Sequence, residues 1–530
     1  MAGLTELPVE IFTDYILPFL PVSDILRLAQ TCKFFALICA DDTFWKLRVK
    51  EDYNFTGAGT ARTSGWKFIY RGLYHPRVYV WGEKSCNRLG LQRFPKTSIA
   101  DVPFPTPLHI PGARVVHLEA GGMSFHAIDS DGTLYVWGAL DGSTGTLRSD
   151  GFSEPGKRAE RPLRLRLPAA TRTVSCGRLH SSTLDANNHI WTFLNWGRPF
   201  RLSSALLDPQ HTVSIQVECG WHFSSILTKS GDVFVWFPGD GDLQTCITDR
   251  MRAMDSDGDK KVLAAEDGSI PCVTWDVDLD PVRLPPLPPL PDLPNTGDAS
   301  DDEETKLIQI AGMDCHLIGL TNRGHVLRYG SLSGQEHASR GRWEYLPKFS
   351  ELAHIREHPS FSGDNAPLKA PEALKITHVT AHFMNFVAYS TGSSSVVLIG
   401  DTDTNEEMEA QVVPELQNRS VISVVIGDYH KGALTSDGKL LTWGAYSKGA
   451  LGLGDPGKLL VGTPGAFADE RALQIAMDRG RGQPPNVEVP TEVRFDHGLT
   501  KPRDRFCFSA TAAGWHMGAL VIDLTVSSES

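Results

Sequence analysis

The sequence predicts a mostly β protein, a seven-bladed β-propeller preceded by a small all-α domain. Two observations carry this prediction. Roughly the first fifty residues place apolar side chains at helical spacing, whereas nearly everything after His75 consists of short apolar runs ending on Trp-Gly or a substitute. The chain also holds 49 glycines and 34 prolines, which indicates many turns between strands rather than a helical bundle.

The helical part divides at its prolines and capping residues. Pro8 suits the first turn of a helix, where its missing N–H is not needed, and Pro18 and Pro21 end that helix. The caps expected for the next three helices are Ser23, Thr31 and either Asp41 or Asp42. One more helix is predicted within 64–74, joining the helical part to the strands.

These short helices are too small to bury all of their apolar side chains among themselves. Some apolar surface should therefore remain for a partner. On periodicity alone, an equally good alternative is that the helices simply pack on the β-body.

Residues 4–50 contain an ordered series of apolar and polar side chains. Its members are Leu7, Pro8, Glu10, Ile11, Ile16, Leu17, Leu20, Asp24, Ile25, Leu26, Leu28, Cys32, Lys33, Phe35 and Trp45. In order and spacing this series resembles an F-box, the module with which substrate receptors bind the Skp adaptor of a cullin-type ubiquitin ligase. The residues for which the resemblance implies a place in Skp-adaptor binding, as core or as contact, are Leu7, Pro8, Ile11, Leu17, Leu20, Ile25, Leu26, Leu28, Cys32, Phe35 and Trp45.

From Arg77 onward a unit of about 50 residues recurs. A small residue comes first and an aromatic residue or His follows about three positions later. An apolar run, a tight turn and a strand ending in Trp-Gly or a substitute complete the unit. The copies are 426–444, which is the clearest, 121–138, 177–193, 220–236, 312–330 and the most divergent, 381–400. Such units indicate propeller blades, because each leaves an apolar face and open edges that only neighbours can cover.

Seven strands end in this way, near Gly82, Gly138, Phe193, Trp236, Gly330, Gly400 and Gly444. The first of them lacks the preceding half of a unit, and 514–522 supplies that half. The C-terminus is therefore predicted to close the ring against the strand at 78–81. The predicted domains are 1–52 for the helical domain, 53–75 for a helical linker and 76–526 for the propeller.

The units at 78–91, 121–138 and 427–454 resemble the regulator-of-chromosome-condensation repeat, a seven-bladed propeller. An F-box followed by this propeller resembles the fungal SCF-associated factor type of protein. That resemblance implies a noncatalytic substrate receptor of an SCF-type ubiquitin ligase, with the Skp adaptor, a cullin and an unknown protein client as partners. Two alternatives stay open: a guanine-nucleotide exchange factor for a small GTPase, as the propeller's founding relative is, and a scaffold without degradation.

Two stretches, 238–306 and 455–505, interrupt the repeats. The first contains a polyproline-type run at 284–291 and a strongly acidic run at 298–304. A solvated blade insertion or linker is the favoured interpretation, and a docking strip for a partner or client is the alternative.

Composition narrows the class of partner and the compartment. Lys and Arg number 51 against 63 Asp and Glu, a net charge of −12 that disfavours nonspecific binding to nucleic acid or acidic lipid. Nine scattered cysteines without a Cys-x-x-Cys indicate a reducing compartment, and neither a signal peptide nor a membrane span is recognisable. We therefore expect a cytoplasmic and/or nuclear protein.

Several motifs imitate chemical sites without completing them. The segment 255–259 followed by Glu266 is similar to a calcium loop, but Lys260 stands where the loop needs glycine. The residues expected to act in packing or hydrogen bonding, not as metal ligands, are the repeat histidines His180, His316, His430 and His516. The tryptophans expected to form blade cores are Trp81, Trp137, Trp236 and Trp443. We predict no catalytic residue, no metal and no cofactor.

Overall fold

Five helices precede the first strand in the described part of the chain. The computed structural model describes residues 7–142, 151–256, 262–293, 304–363, 366–391, 395–497, 499, 501 and 503–524. The helices are α1 (Val9–Ile11), which continues as a π turn (Phe12–Ile16) and a 3₁₀ turn (Leu17–Phe19), α2 (Val22–Ala29), α3 (Lys33–Ile38), α4 (Asp42–Tyr53) and α5 (Trp66–Gly72).

One of the predicted helix caps is confirmed and two are wrong. The Asp41 carboxylate accepts a hydrogen bond from the Phe44 backbone nitrogen at 2.8 Å and caps α4. Ser23 lies inside α2, which begins one residue earlier and has no side-chain cap. The Thr31 hydroxyl donates to the Leu28 carbonyl at 2.7 Å, so it turns back onto α2 instead of capping α3.

The strands form seven sheets in the described residues, as predicted. In chain order they are β1 (Arg77–Gly82), β2 (Val102–Leu108), β3 (Val115–Ala120), β4 (Ser124–Asp129), β5 (Leu134–Gly138), β6 (Ala159–Arg166), β7 (Thr171–Cys176), β8 (Ser181–Asp185), β9 (Ile190–Phe193), β10 (Phe200–Leu202), β11 (Ser214–Cys219), β12 (Ser224–Thr228), β13 (Val233–Trp236), β14 (Ser269–Pro271), β15 (Trp275–Val277), β16 (Val282–Arg283), β17 (Leu307–Gly312), β18 (Leu317–Thr321), β19 (Val326–Tyr329), β20 (Trp343–Tyr345), β21 (His378–His382), β22 (Asn385–Tyr389), β23 (Val397–Asp401), β24 (Gln411–Val412), β25 (Val421–Ile426), β26 (His430–Thr435), β27 (Leu440–Gly444), β28 (Val487–Glu492), β29 (Arg505–Ala513) and β30 (His516–Asp523).

Later helices lie in the connections between strands. They are α6 (Gly241–Ser256), α7 (Gln335–Ala338), α8 (Leu352–Glu357) and α9 (Glu470–Arg479). Short 3₁₀ turns are found at Ser85–Asn87, Ala205–Leu207, Pro347–Phe349, Pro414–Leu416 and Ser447–Gly449.

The predicted ring closure is confirmed. The closing blade has the strand order β2-β1-β30-β29, so it joins the first two strands of the propeller to the last two. Strands β1 and β30 pair antiparallel, with Tyr79 opposite Ala519 and Trp81 opposite Met517. This pairing covers the two edges that the ends of the repeat array would otherwise expose.

The antiparallel order of each blade gives the propeller two distinct faces. The innermost strands are β3, β7, β11, β17, β21, β25 and β29, and they surround a central channel. Connections from first to second and from third to fourth strands emerge at one end of the channel, which we call the distal face. Connections from second to third strands and between blades emerge at the opposite end, which we call the linker face. Residues 54–62 dock on the linker face.

Glycines in the repeat are required by close contacts between turns. In the Trp-Gly motif, Gly82 has φ +106° and a Cβ there would lie 2.5 Å from the Trp515 carbonyl oxygen. In the Gly-x-x-His motif, a Cβ on Gly427 would lie 2.1 Å from Cε1 of His430. Only glycine fits at both kinds of position.

The described part of the larger insertion is packed rather than solvated, against the favoured interpretation. Strand β14 adds a parallel fifth strand beside β6, and β15 does the same beside β10. Helix α6 buries Leu243 and Ile247. The polyproline run is also occupied, since Trp343 Nε1 donates to the Pro285 carbonyl at 3.1 Å. A partner could not use that strip without displacing contacts of the propeller. The acidic run lies largely outside the described residues.

Candidate functional site

The helical domain keeps a large amount of apolar surface. Phe19 is 82% exposed, Leu37 76% and Tyr15 72%. The other large apolar side chains exposed in this domain are Leu7, Val9, Leu26 and Leu47. An exposed apolar surface of this kind on a small domain marks a place for a protein partner.

The eleven residues predicted to take part in adaptor binding divide into three groups. The exposed ones are Leu7, Pro8, Leu26 and Cys32. The half-buried ones are Ile11, Leu20, Leu28 and Phe35. The buried ones are Leu17, Ile25 and Trp45. The last three are core residues of the helical domain, so in this conformation they support a binding surface without forming it.

Five exposed apolar residues were absent from the predicted set. They are Val9, Tyr15, Phe19, Leu37 and Leu47. They could have been predicted from the sequence, because each is a large apolar residue that lies close in sequence to a buried apolar residue. Phe19, for example, follows the buried Leu17 and lies between the two helix-ending prolines.

The helical domain has a core that holds this surface in place. The rings of Phe12, Phe34 and Phe35 pack edge to face in pairs, with centroids 5.3 to 5.8 Å apart. Trp45 Nε1 donates to the Cys39 carbonyl at 2.8 Å, which satisfies the buried indole. The exposed side chains are therefore carried by a preformed domain.

The linker segment that follows the helical domain is fixed to the linker face. Asn54 Nδ2 donates to the Thr171 carbonyl at 2.9 Å, and the Ala61 backbone nitrogen donates to the Ile422 carbonyl at 2.7 Å. The guanidinium group of Arg62 donates to the Ser436 carbonyl at 3.1 Å. The expectation of free apolar surface and its alternative, packing on the β-body, thus describe different sides of the same region.

The central channel is a cavity of 440 Å³ whose lining includes residues 55–60 of the linker at one mouth. Burial, and then the nearby Glu218, raises the pKa of Glu119 to about 8, and burial raises the pKa of Glu218 to about 7. Burial lowers the pKa of His117 to about 4. His117 Nε2 lies 3.7 Å from Glu119 Oε2, and near neutral pH both groups are uncharged. Among the described residues no group of three or more His, Cys, Asp or Glu is arranged to hold a metal ion.

A cysteine and a histidine meet beside the channel, but not as a nucleophilic pair. Cys176 Sγ lies 3.1 Å from His126 Nδ1. Burial raises the pKa of the Cys176 thiol well above its usual value and lowers the pKa of His126 to about 3. Both partners are therefore neutral, whereas nucleophilic catalysis needs a thiolate.

Two of the repeat histidines, His180 and His516, and the blade tryptophans stabilise the propeller. His180 Nε2 contacts the Phe223 carbonyl at 3.1 Å, and His516 Nε2 contacts the Ser124 carbonyl at 3.2 Å; each contact joins one blade to the next. The blade tryptophans, all buried, are Trp81, Trp137, Trp236 and Trp443. The calcium-like segment lies mostly outside the described residues, and Asp255 is part of α6 and pairs with Arg198 at 2.7 Å.

The distal face carries a second set of aromatic residues, of which Trp221 and Phe383 are half-buried and Tyr429 and Trp515 are exposed. The rings of Trp221 and Phe383 stack with centroids 4.5 Å apart, and the Arg178 guanidinium lies 4.7 Å from the Trp221 ring centroid. Tyr429 and Trp515 are exposed in neighbouring connections of the same face. Apolar surface is thus available at both ends of the molecule.

Comparison with known proteins places these features in a class. Residues 4–50 match the F-box-like family. The chain is 36% identical to SCF-associated factor 1 of Saccharomyces cerevisiae over 140 residues, which is 24% of this chain and 19% of that protein. The chain thus spans about a fifth of that relative's length. It is 21% identical to F-box protein pof9 of Schizosaccharomyces pombe over 527 residues, covering 96% of this chain and 88% of pof9.

A structural neighbour is yeast RCC1 (Prp20), solved bound to Kap60. It is 16% identical, covers 85% of this chain and 90% of its own length, and gives a TM-score of 0.49. The family match at residues 4–50 and the seven sheets of the described residues define an F-box-like domain followed by a seven-bladed propeller. Within the described residues no helix is long and apolar enough to cross a membrane.

Proposed function

We propose that this chain is the substrate-recognition subunit of an SCF-type ubiquitin ligase. The observation that carries the proposal is the contrast between the exposed apolar side chains of the F-box-like segment and the anchoring of the chain that follows it. The linker that follows this segment is hydrogen-bonded to the propeller through Asn54, while Phe19 and Leu37 of the segment itself are 82% and 76% exposed. A Skp adaptor is the partner that an F-box-like domain would use to cover this surface, and a cullin would follow through the adaptor.

The proposed mechanism is proximity. The helical domain holds the adaptor while the propeller holds a client, so client lysines are kept near a ubiquitin-charged enzyme. Raised effective concentration takes the place of chemistry on this chain. The neutral Cys176–His126 pair is consistent with a noncatalytic role.

Copurification with the Skp adaptor tests the proposal. Leu7→Ala combined with Pro8→Ala should abolish copurification, since both side chains are exposed and part of the F-box series. Leu37→Asp should weaken it as well, and Leu460→Asp is its matched control, because the two leucines are 76% and 75% exposed on different parts of the molecule. Undiminished copurification in both F-box variants would contradict the proposal.

The alternative functions are separated by two further measurements. A nucleotide-exchange assay with Ran-like GTPases tests the exchange-factor hypothesis. For the scaffold hypothesis, client half-life should be compared between the wild type and the Leu7→Ala/Pro8→Ala variant. Point variants are preferable to deleting residues 1–52, because α4 shares an apolar core with the propeller.

We also propose a cytoplasmic and/or nuclear location. All nine cysteines lie among the described residues and are free, as suits a reducing compartment. Fluorescence microscopy of a tagged chain tests this, and a secreted or vesicular signal would contradict it.

A further inference from the structure

A cleft of 560 Å³ opens on the distal face, beside helix α6 of the larger insertion. Its lining comes from connections that all emerge at this face. The apolar members of the lining are Pro155, Leu179, Leu194, Pro238, Ile247 and Met251. A volume and an apolar lining of this kind are typical of binding sites.

The cleft contains a buried amide that lacks a partner. Asn195 is 1% exposed, and its Oδ1 accepts from the backbone nitrogens of Gly197 at 3.2 Å and Arg198 at 2.7 Å. Among the described residues, its Nδ2 has no hydrogen-bond partner, and neither does the hydroxyl of the buried Ser153. A buried donor without an acceptor costs free energy, so these atoms indicate that something else supplies an acceptor.

Contacts among the described residues fix part of the cleft wall. Arg198 is buried and its Nη1 donates to Asp255 Oδ1 at 2.7 Å, which ties the last turn of α6 to the connection that carries Asn195. Leu243 and Ile247 anchor the same helix in the core. An occupant would meet this part of the wall preformed and would not have to order it.

The charge of the lining favours one kind of occupant. Among the described residues, the charged members of the lining are Asp141, Glu154 and Asp255 against Arg198 and Arg252. Negative charges outnumber positive ones, so an occupant with a basic residue next to the side chain that enters the cleft is favoured. Leu179 is part of the lining and stays 38% exposed, so the cleft is open to solvent and accessible to a polypeptide.

We propose that this cleft receives an extended segment of a client protein with a bulky aliphatic side chain next to a lysine or arginine. The aliphatic side chain packs among Leu179, Ile247 and Met251, and a main-chain carbonyl of the segment accepts the hydrogen bond from Asn195 Nδ2. This inference rests on the proposed function, in which the face away from the F-box-like domain presents the client.

Peptide selection on the full-length chain tests the proposal. A phage library of random dodecapeptides is selected on the immobilised protein, and a synthetic consensus peptide is titrated by fluorescence anisotropy. We expect aliphatic-basic sequences, with affinity reduced about tenfold or more in Leu179→Glu because a carboxylate would replace apolar contact. Leu206→Glu is the matched control, since Leu206 is 39% exposed and lies outside the cleft.

The outcomes are distinct from those for adaptor binding. Leu179→Glu should copurify with the Skp adaptor like the wild type, so loss of peptide binding alone supports the cleft. Asn195→Asp keeps the acceptor for the two backbone nitrogens and removes the donor. It should also lower the affinity for the peptide. No enriched sequence, or equal binding by the Leu179 and Leu206 variants, would overturn the proposal. Self-association that only Leu179→Glu abolishes would assign the cleft to a second copy and would overturn it too.

Discussion

The carboxylate of Asp42 caps a helix to which Asp42 does not belong. Its Oδ1 accepts a hydrogen bond at 2.7 Å from the backbone nitrogen of Trp66, the first residue of α5. Its other oxygen accepts from the Gly65 nitrogen at 3.1 Å. Asp42 is itself the first residue of α4, so one side chain ties the F-box-like domain to the linker helix.

Replacing Asp42 by alanine should loosen this connection. Two amide donors at the start of α5 would lose their acceptor, which should cost about 1–2 kcal/mol of local stability. Hydrogen exchange of the peptide 63–74 measures the effect as faster exchange. Asp24→Ala is the control, since Asp24 only pairs with Arg27 on the surface. Equal exchange in the two variants would contradict the capping role.

The glycine of the Trp-Gly motif should be intolerant of a side chain. At Gly82 an added Cβ would meet the Trp515 carbonyl oxygen at 2.5 Å, and φ is +106°. Gly82→Ala should therefore destabilise the closing blade by about 1–3 kcal/mol. Thermal unfolding measures this, and Gly59→Ala is the control because a Cβ on Gly59 meets nothing within 4 Å. An unchanged melting temperature for Gly82→Ala would show that the turn can adapt.

The channel carboxyls should make stability fall as the pH rises. The pKa of Glu119 is about 8 in the folded protein against an ordinary 4.5, so the folded state holds a proton that the unfolded state releases. The stability that this proton provides is present below the unfolded pKa and is lost between about pH 4.5 and 8. The buried histidines act in the opposite direction, at lower pH, because the pKa of His117 is lowered to about 4.

Glu119→Gln isolates this contribution. Glutamine keeps the shape and cannot ionise, so the variant should lose less stability than the wild type between pH 6 and 8. One proton can contribute at most about 1.4 kcal/mol per pH unit, and the difference should stay below that limit because the side chain is partly open to the channel. Denaturant unfolding at the two pH values measures it, with Glu154→Gln at the distal cleft as control. Parallel pH dependence of wild type and Glu119→Gln would contradict the raised pKa.

Local patterns made the ring predictable, and long-range pairing made its additions unpredictable. The closure of β1 on β30 followed from half a repeat at each end, and the burial of Trp81 from its repeated position. The parallel strands β14 and β15 have three residues each and pair with strands that lie about 75 to 105 residues earlier, a register no local pattern encodes. Leu17 and Leu26 both belong to the apolar series of the helical domain, and only tertiary packing buries Leu17 and exposes Leu26.

Removing Trp275, which anchors the larger insertion, should destabilise the propeller, because the insertion is packed as part of it. Trp275 on β15 is buried, its ring lies 5.3 Å from that of Phe200, and its Nε1 donates to the Arg198 carbonyl at 3.2 Å. Beside it, Arg201 and Asp276 form two hydrogen bonds of 2.8 and 3.0 Å. Trp275→Ala would leave a cavity at this edge and should cost about 3–5 kcal/mol.

Limited proteolysis and thermal unfolding together measure this last effect. Trp275→Ala should lower the melting temperature and open the segment 262–281 to cleavage, because β15 would lose its ring contact with Phe200 of β10. Leu263→Ala is the matched control within the same insertion, since Leu263 is 54% exposed and its loss removes little buried area. A solvated linker would tolerate both changes equally, so indistinguishable behaviour of the two variants would mean that the insertion is not integral to the blades.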